Sequence, residues 1–501
     1  MRRVTIFLIL ILAATMAWGQ AGEDQKLRFR MVAPDGKAIP AAEIKEFHAR
    51  DMADKPVVTT IAPHDGYVTV VLPGKPVQVS ALFNVPAFGE VHVYADNEGK
   101  GYTQTGWVDF VAEAAKTRIH RVRSAFPASL TGKINRAEKK PPYESLAMSL
   151  AAGEELTLLR AQNRIRQLKG PRTGFLFGCN SMGHPARGPL YDERFKAIFN
   201  WGTPNLYLTH YAPTETTRDY SRTDMETDWL VSFGAKVKPC PAFYLAGGVT
   251  PQWLKDLPYS EVRGFAHSLI EETCKRYAGK AQFCEIINEA DMSNSLRLKN
   301  EELVDLANVN SKAAWEGDPK VLRIINSAHL WGEYATKPGK RSPYAYLQDC
   351  MKAGVQFEIV GLQMYYPEYD LFEIDRMLEK YAKLGKPILV TEMGCSSAPG
   401  IDPNAQRKKA TAGWHGPWTE TMQADWVAGI YTICYSKPYV QGVGWWDIAD
   451  AVSFWPYGGL CRGDLSPKPS YLRLQALEKK WGFNFPGESG LTKHIRKSKS
   501  P

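Results

Sequence analysis

After its first eighteen residues, the 501-residue sequence has no apolar run long enough to cross a bilayer, which excludes a bundle of membrane helices. Cysteine is missing from the first third. All eight cysteines lie between Cys179 and Cys461, and the nearest two, Cys274 and Cys284, are too far apart for a metal-type pair. That spacing excludes a disulfide scaffold and a zinc knuckle, and leaves disulfides and buried free thiols equally open. No basic stripe exists either. The formal charge is +9, and the basic residues are scattered except in the tail Lys493–Lys499. A nucleic-acid footprint is thereby excluded, and residues 486–501 read as a basic, solvated tail. No pattern in the chain calls for a cofactor or a metal ion.

The N-terminus opens Met1-Arg2-Arg3 and continues in an apolar run from Val4 to Trp18, broken only by Thr5 and Thr15. With small residues at Ala17 and Gly19, residues 1–19 read as a secretory signal peptide. The expected mature protein is soluble, monomeric, and secreted or periplasmic, with no membrane partner once the signal is removed.

Residues 26–125 read as a β-sandwich domain. Short alternating segments (Leu27–Val32, Val57–Ile61, Tyr67–Leu72, Val77–Phe83, Gly89–Ala95 and one near Tyr102) are separated by turns such as His64-Asp65-Gly66 and Pro73-Gly74-Lys75. Two roles stay open for it: carbohydrate binding through exposed aromatics such as Tyr102 and Trp107, or plain packing. Residues 126–170 read as a linker and a helix. Pro127–Pro142 is polar and proline-punctuated, and Tyr143–Leu168 carries a helical stripe that Gly153 interrupts.

Residues 171–485 alternate strand and helix. Apolar, β-branched runs lie near 175–180, 205–210, 236–245, 282–289, 321–327, 358–365, 387–392 and 440–449. Amphipathic segments near 192–199, 225–233, 262–277, 302–315, 344–353, 371–384, 423–435 and 470–481 fall between and after them. Eight such units predict a (β/α)8 barrel. The runner-up, a doubly wound open sheet, lacks the glycine-rich phosphate loop after its first strand.

Two of these strands share one grammar. Phe283–Ile287 ends in Asn288-Glu289, and Pro387–Thr391 ends in Glu392. A carboxylate at the tip of a buried strand is costly unless paired or used. Barrel sites lie at the carboxyl ends of the strands, so Glu289 and Glu392 are expected to face one mouth. Such a pair performs double-displacement glycoside hydrolysis when the carboxyl groups stand about 5–5.5 Å apart. Trp414, Trp418, Trp445, Trp446, Trp455 and Tyr457 crowd the last two strand ends. Sugar rings stack their C–H faces on such side chains, so this density is expected to line a cleft.

The segment around 175–482 resembles glycoside hydrolase family ten, the xylanase family of the large retaining (β/α)8 clan. The likeness rests on Ile287-Asn288-Glu289, Val390-Thr391-Glu392, Gly361-Leu362-Gln363, and Trp445-Trp446-Asp447-Ile448-Ala449-Asp450 with Gly458-Gly459-Leu460, Asp464 and Pro467–Tyr471. The resemblance implies Glu289 as acid/base and Glu392 as nucleophile. It also implies that Asn288 bonds the sugar 2-hydroxyl, that Gln363 orients the nucleophile or sugar, and that Trp446 and Trp455 wall the subsites. The implied activity is hydrolysis of β-1,4-xylosidic linkages, with a polysaccharide or oligosaccharide as the partner.

The departures lie in the glycone subsites. The family's Gly-His-Pro-Leu-Val-Trp-His stretch on strand three is replaced by Lys238–Leu245, with Cys240 where one histidine stands. Tyr365 replaces the histidine of strand six, and Asn205–Tyr211 followed by Glu215 replaces the motif after strand two. His210, read at the end of strand two, and Glu215 are nominated as replacement ligands. Two alternatives stand beside xylan hydrolysis: a β-glucan, mannan or arabinoside activity of the same clan, and a carbohydrate-binding protein with impaired catalysis.

Overall fold

Alternation of apolar and polar residues in Lys26–Arg30 makes a strand that buries Leu27 and Phe29 on one face. It is the first element of the computed structural model, which describes residues 25–337 and 340–486. Residues 1–19, read from the sequence as a signal peptide, and the tail beyond Pro486 lie outside the described residues. The chain divides into two compact units at Gly153.

The first unit contains β1 (Lys26–Arg30), β2 (Lys45–Arg50), β3 (Ile61–His64), β4 (Tyr67–Val71), β5 (Gln78–Val85), β6 (Gly89–Ala95) and β7 (Gly106–Asp109). They form a four-stranded sheet in the order β3-β4-β1-β7 and a three-stranded sheet in the order β2-β5-β6. Apolar side chains of both sheets join one core, including Phe29, Val68, Val79, Phe83 and Val93.

An all-β reading of 26–125 does not hold throughout. Residues Phe110–Ala125 form a helix whose N-cap, Asp109, accepts the Ala112 amide at 2.8 Å. It buries Phe110, Ala114, Ala115, Ile119 and Val122 at helical spacing, and Phe110 packs on Phe29 and Phe83 with ring centroids 6.1 and 5.8 Å away. Tyr102 is not exposed but 6% accessible, donating to Glu113 Oε2 at 2.8 Å. The segment read as a linker is packed structure: Gly132–Ala137 is helical and buries Ile134 and Ala137. The helix Pro142–Arg166 continues unbroken through Gly153.

The second unit is a ring of eight parallel strands: β8 (Leu176–Asn180), β9 (Trp201–Thr203), β10 (Lys236–Val237), β11 (Phe283–Asn288), β12 (Leu322–Ser327), β13 (Ile359–Met364), β14 (Ile388–Met393) and β15 (Val440–Trp445). Their order, β10-β9-β8-β15-β14-β13-β12-β11, follows the chain around the ring. Closure runs from β10 to β11 through Gln282 N to Val237 O (3.1 Å), Asn288 N to Phe243 O (3.0 Å) and a parallel bridge of Tyr244 with Asn288. The fold is thus the (β/α)8 barrel that the alternation predicts.

Covered on both sides, β11, β13 and β14 are buried at every position. The surrounding helices pack by amphipathic faces. In Leu371–Ala382 the buried set includes Leu371, Ile374, Met377, Leu378 and Tyr381, and Asp370 caps the first turn. Trp201 packs inside the ring with Phe283, Ile324, Ile359 and Leu389. A Cβ on Gly178 would lie 2.1 Å from that indole, so this strand position must be glycine.

Strand two differs from its sequence reading. Pairing occupies Trp201–Thr203, while Leu208–Tyr211 forms one helical turn. Thr203 already reaches the strand end, because Trp201 supplies this strand's interior side chain. Among the described residues no helix is long and apolar enough to cross a membrane, and all eight cysteines are buried free thiols.

Candidate active site

β11 and β14 each end in the glutamate that the sequence singles out. Glu289 follows Asn288 directly and has φ 50°, a left-handed conformation uncommon outside glycine. Its Oε2 accepts from the Tyr244 hydroxyl at 2.7 Å and the Ser293 hydroxyl at 2.9 Å, and its Oε1 from Gln363 Nε2 at 2.9 Å. Glu392 accepts from Tyr365 OH at 3.1 Å and from Asn326 Nδ2 at 3.3 Å.

These contacts join into one line. Gln363 Nε2 also reaches Asn288 Oδ1 at 3.2 Å, and Asn326 Nδ2 reaches the same oxygen at 3.0 Å. Asn326 is itself held by Thr391 Oγ1 at 2.6 Å. The carboxyl groups of Glu289 and Glu392 are therefore connected through Gln363, Asn288 and Asn326, all buried side chains from adjacent strands.

A third carboxylate stands inside the barrel. Glu285, four residues before Glu289 on β11, accepts from Lys238 Nζ at 2.6 Å and from the Cys240 thiol at 3.4 Å, and both members of the ion pair are inaccessible to solvent. Burial pushes Glu392 up to about 8. The negative charges of Glu285 and Glu289 add to the rise, whereas Lys238 and the Tyr365 hydrogen bond oppose it.

Of the tryptophans, Trp455 faces this chemistry. Its ring centroid lies 6.4 Å from that of Tyr365, edge to face, and its Nε1 has no hydrogen-bond partner. Phe454 packs against both, 4.9 Å from Tyr365 and 5.3 Å from Trp455. Trp446 is buried at the end of β15, its amide donating to Met393 O at 2.7 Å. Trp414, Trp418 and Trp445 are buried, and their ring nitrogens bond Glu154, Ala412 O and Gly458 O.

Among the described residues, His210 makes no hydrogen bond to Glu289 or Glu392, and its ring lies 6.0 Å from that of Tyr207. It sits exposed in the turn Leu208–Tyr211, with Nδ1 3.0 Å from Asn205 Oδ1. Burial and the Arg222 charge lower its pKa. Glu215 lies in an exposed loop. Tyr207, three residues before His210, is the member of this segment within electrostatic reach of Glu392 and Glu289, and burial raises its pKa.

Sequence reasoning passed over Tyr244, Ser293 and Asn326. Asn326 had a signal: Ile324-Ile325-Asn326 repeats the pattern of Ile286-Ile287-Asn288. Among the described residues, His267, Glu271 and Glu316 could hold a metal ion, their ligand atoms all lying within 4.8 Å of one another. They belong to the outer helices Tyr259–Arg276 and Asn300–Gly317, not to the strand ends.

No curated protein matches the sequence significantly. Among solved structures, native xylanase 10B from Thermotoga maritima matches with a TM-score of 0.51 and 18% identity, over 65% of this chain and 98% of that one. Xylanase 10B from Thermotoga petrophila RKU-1, in complex with xylobiose, matches with a TM-score of 0.50 and 18% identity, over 63% and 99%. At such identities the likeness concerns the fold. The sequence model of glycosyl hydrolase family 10 matches residues 217–476, more than half of the chain. It begins beyond β9, so the divergent stretch after strand two lies outside it, while both strand-end glutamates lie within. By that match, on the barrel just described, the chain belongs to glycosyl hydrolase family 10.

Proposed function

We propose that the protein is a retaining β-glycoside hydrolase, with Glu392 as nucleophile and Glu289 as acid/base, acting on a β-linked polysaccharide of the xylan class. The observation that carries this reading is the hydrogen-bonded line from Glu289 through Gln363, Asn288 and Asn326 to Glu392.

In the first step the Glu392 carboxylate attacks the anomeric carbon while Glu289 gives its proton to the departing glycosidic oxygen. The C–O bond to the leaving sugar breaks as an ester to Glu392 forms. In the second, Glu289 takes a proton from water. The resulting hydroxide equivalent attacks the same carbon and restores the Glu392 carboxylate.

The mechanism uses one proton between the two groups, held by Glu289 while Glu392 is ionised. Two features favour its residence on Glu289 once sugar is bound. The Tyr365 hydrogen bond stabilises the ionised Glu392, and so does the positive charge developing at the anomeric carbon. The hydroxyls of Ser293 and Tyr244 serve Glu289 in either state, since a hydroxyl both donates and accepts.

The two Thermotoga structures are xylanases, one of them holding xylobiose, which supports xylan as the substrate class. The departures favour a modified form of it. Cys240 spends its thiol on Glu285, so the histidine it replaces has no counterpart facing the sugar. Each missing polar contact costs on the order of 1 kcal/mol, so plain linear xylan is expected to be a poor substrate beside a decorated one. Export forms part of the same reading and rests on the pattern of residues 1–19.

The test is incubation with plant polysaccharides and aryl β-glycosides, with proton NMR of the first product. Turnover with the β-anomer appearing first is expected. The α-anomer appearing first would point to inversion, and no turnover on any member of the panel would overturn the reading.

A further inference from the structure

In the four-stranded sheet of the first unit, β1 sends Leu27 and Phe29 into the core and Lys26, Arg28 and Arg30 to the opposite face. There Arg30 pairs in register with Tyr67 of β4, Tyr67 with His64 of β3, and Arg28 with Trp107 of β7. That outer face thus bears an aromatic ring on three of its four strands and arginines on the fourth. The His64 and Tyr67 rings stack at 4.5 Å and 18°, and Tyr67 meets Trp107 at 5.1 Å. The guanidinium groups of Arg28 and Arg30 stand 5.5 and 6.0 Å from the Trp107 centroid.

Trp107 is 53% exposed, and His64 and Arg30 are exposed beside it. A large aromatic kept in water within a row of rings marks an interaction surface better than a packing residue. The charge is one-sided. Among the residues of β1, β3, β4 and β7 the only acid is Asp109, whose carboxylate is engaged in capping the helix Phe110–Ala125.

We propose that this face binds a β-linked polysaccharide bearing carboxylate groups. Pyranose rings lie on Trp107 and the Tyr67–His64 pair, and uronate groups pair with the exposed Arg30 guanidinium group. The chemistry fits the two halves of the surface. Sugar C–H faces stack on aromatic rings, while an exposed guanidinium beside an indole, as at Arg30, can fork a carboxylate. A single-stranded nucleic acid also offers flat rings and anions. The choice of a glycan rests on the hydrolase reading of the barrel in the same chain.

The test uses the full chain as Glu392→Ala, so that polymer is not consumed, in native gels containing glucuronoxylan, carboxyl-reduced glucuronoxylan or poly(U). Glucuronoxylan should retard the protein. Trp107→Ala, Arg30→Glu and carboxyl reduction should each weaken binding by about tenfold or more, a loss of one good contact. Arg30 is exposed, so Arg30→Glu decides the matter if Trp107→Ala fails to fold. Unchanged retardation in Arg30→Glu, equal retardation by the reduced polymer, or tighter retention by poly(U) would overturn the proposal. Turnover of an aryl β-xyloside by the chain with Glu392 intact is measured separately. Its absence alongside retained, Arg30-dependent binding would remove the catalytic reading and leave this surface standing.

Discussion

Tyr365 donates its hydroxyl to Glu392 Oε2 at 3.1 Å, from the place on the sixth barrel strand where the family pattern carries histidine. A phenol cannot bring the positive charge that an imidazole can, so Glu392 is held here by a neutral donor amid other carboxylates. Tyr365→Phe should lower kcat/KM by roughly ten- to a hundredfold, as expected for losing a hydrogen bond to a charged group worth about 1.5–3 kcal/mol. The same change should move the basic limb of the pH profile upward, because that bond opposes the rise in Glu392. A profile that keeps its limb in place would refute the contact as a determinant of Glu392 ionisation.

The two glutamates should respond differently to the leaving group. Glu392→Ala is expected to stop turnover on every substrate, since no ester can form. Glu289→Ala should be mildest on aryl glycosides with acidic phenols, which depart with little protonation, and severe on polysaccharide. Initial rates on a series of phenols would show the contrast, and equal losses across the series would invalidate the roles.

The barrel was legible in the sequence because its strands are buried on both faces and separated by amphipathic helices, a pattern that period and length both report. The two strand-end glutamates were legible for a related reason: a charge at the end of a run such as Pro387–Thr391 is costly unless it is paired or used. Strand two was misplaced because Trp201-Gly202-Thr203 is short and its interior residue is an indole, while the aliphatic look of Leu206 and Leu208 belongs to a loop and a helical turn. Tyr244 was hidden for another reason. The segment after β10 carries almost no ladder, and its register is set by single bridges, which leave no periodic trace. The helix Phe110–Ala125 was missed because alternation in the preceding strands was carried past Asp109, whose capping role is the local signal.

Glu285 offers a way to move the pH profile without touching substrate. Its charge raises Glu392, and Lys238, bonded to it at 2.6 Å, opposes that rise. Glu285→Gln removes the first and leaves the second uncompensated, so both changes lower the proton affinity of Glu392. The basic limb of kcat/KM on an aryl glycoside should fall below about 8, by roughly one pH unit or more. Stability should fall as well, since an unpaired buried lysine costs about 3–5 kcal/mol. A limb that stays fixed or rises would refute this electrostatic link.

The last expectation concerns stability. Glu392 is held at about 8 in the folded protein against an ordinary value of 4.5, so the folded state binds the extra proton between those limits. Its contribution to stability is full below the lower value and is lost as pH rises toward the upper one, at up to about 1.4 kcal/mol per pH unit. Glutamine keeps the shape and the hydrogen-bonding capacity of the side chain but has no proton to lose. Glu392→Gln should therefore unfold at a higher temperature than the parent at pH 8, with the difference shrinking toward pH 4.5. Calorimetry of the barrel transition at pH 5, 6.5 and 8 measures it. A difference that is constant or grows toward acid would mean that burial of this carboxylate is not the source of its raised proton affinity. A difference that grows toward alkali would show that ionising Glu392 in its dry, negatively charged site lowers the stability of the fold.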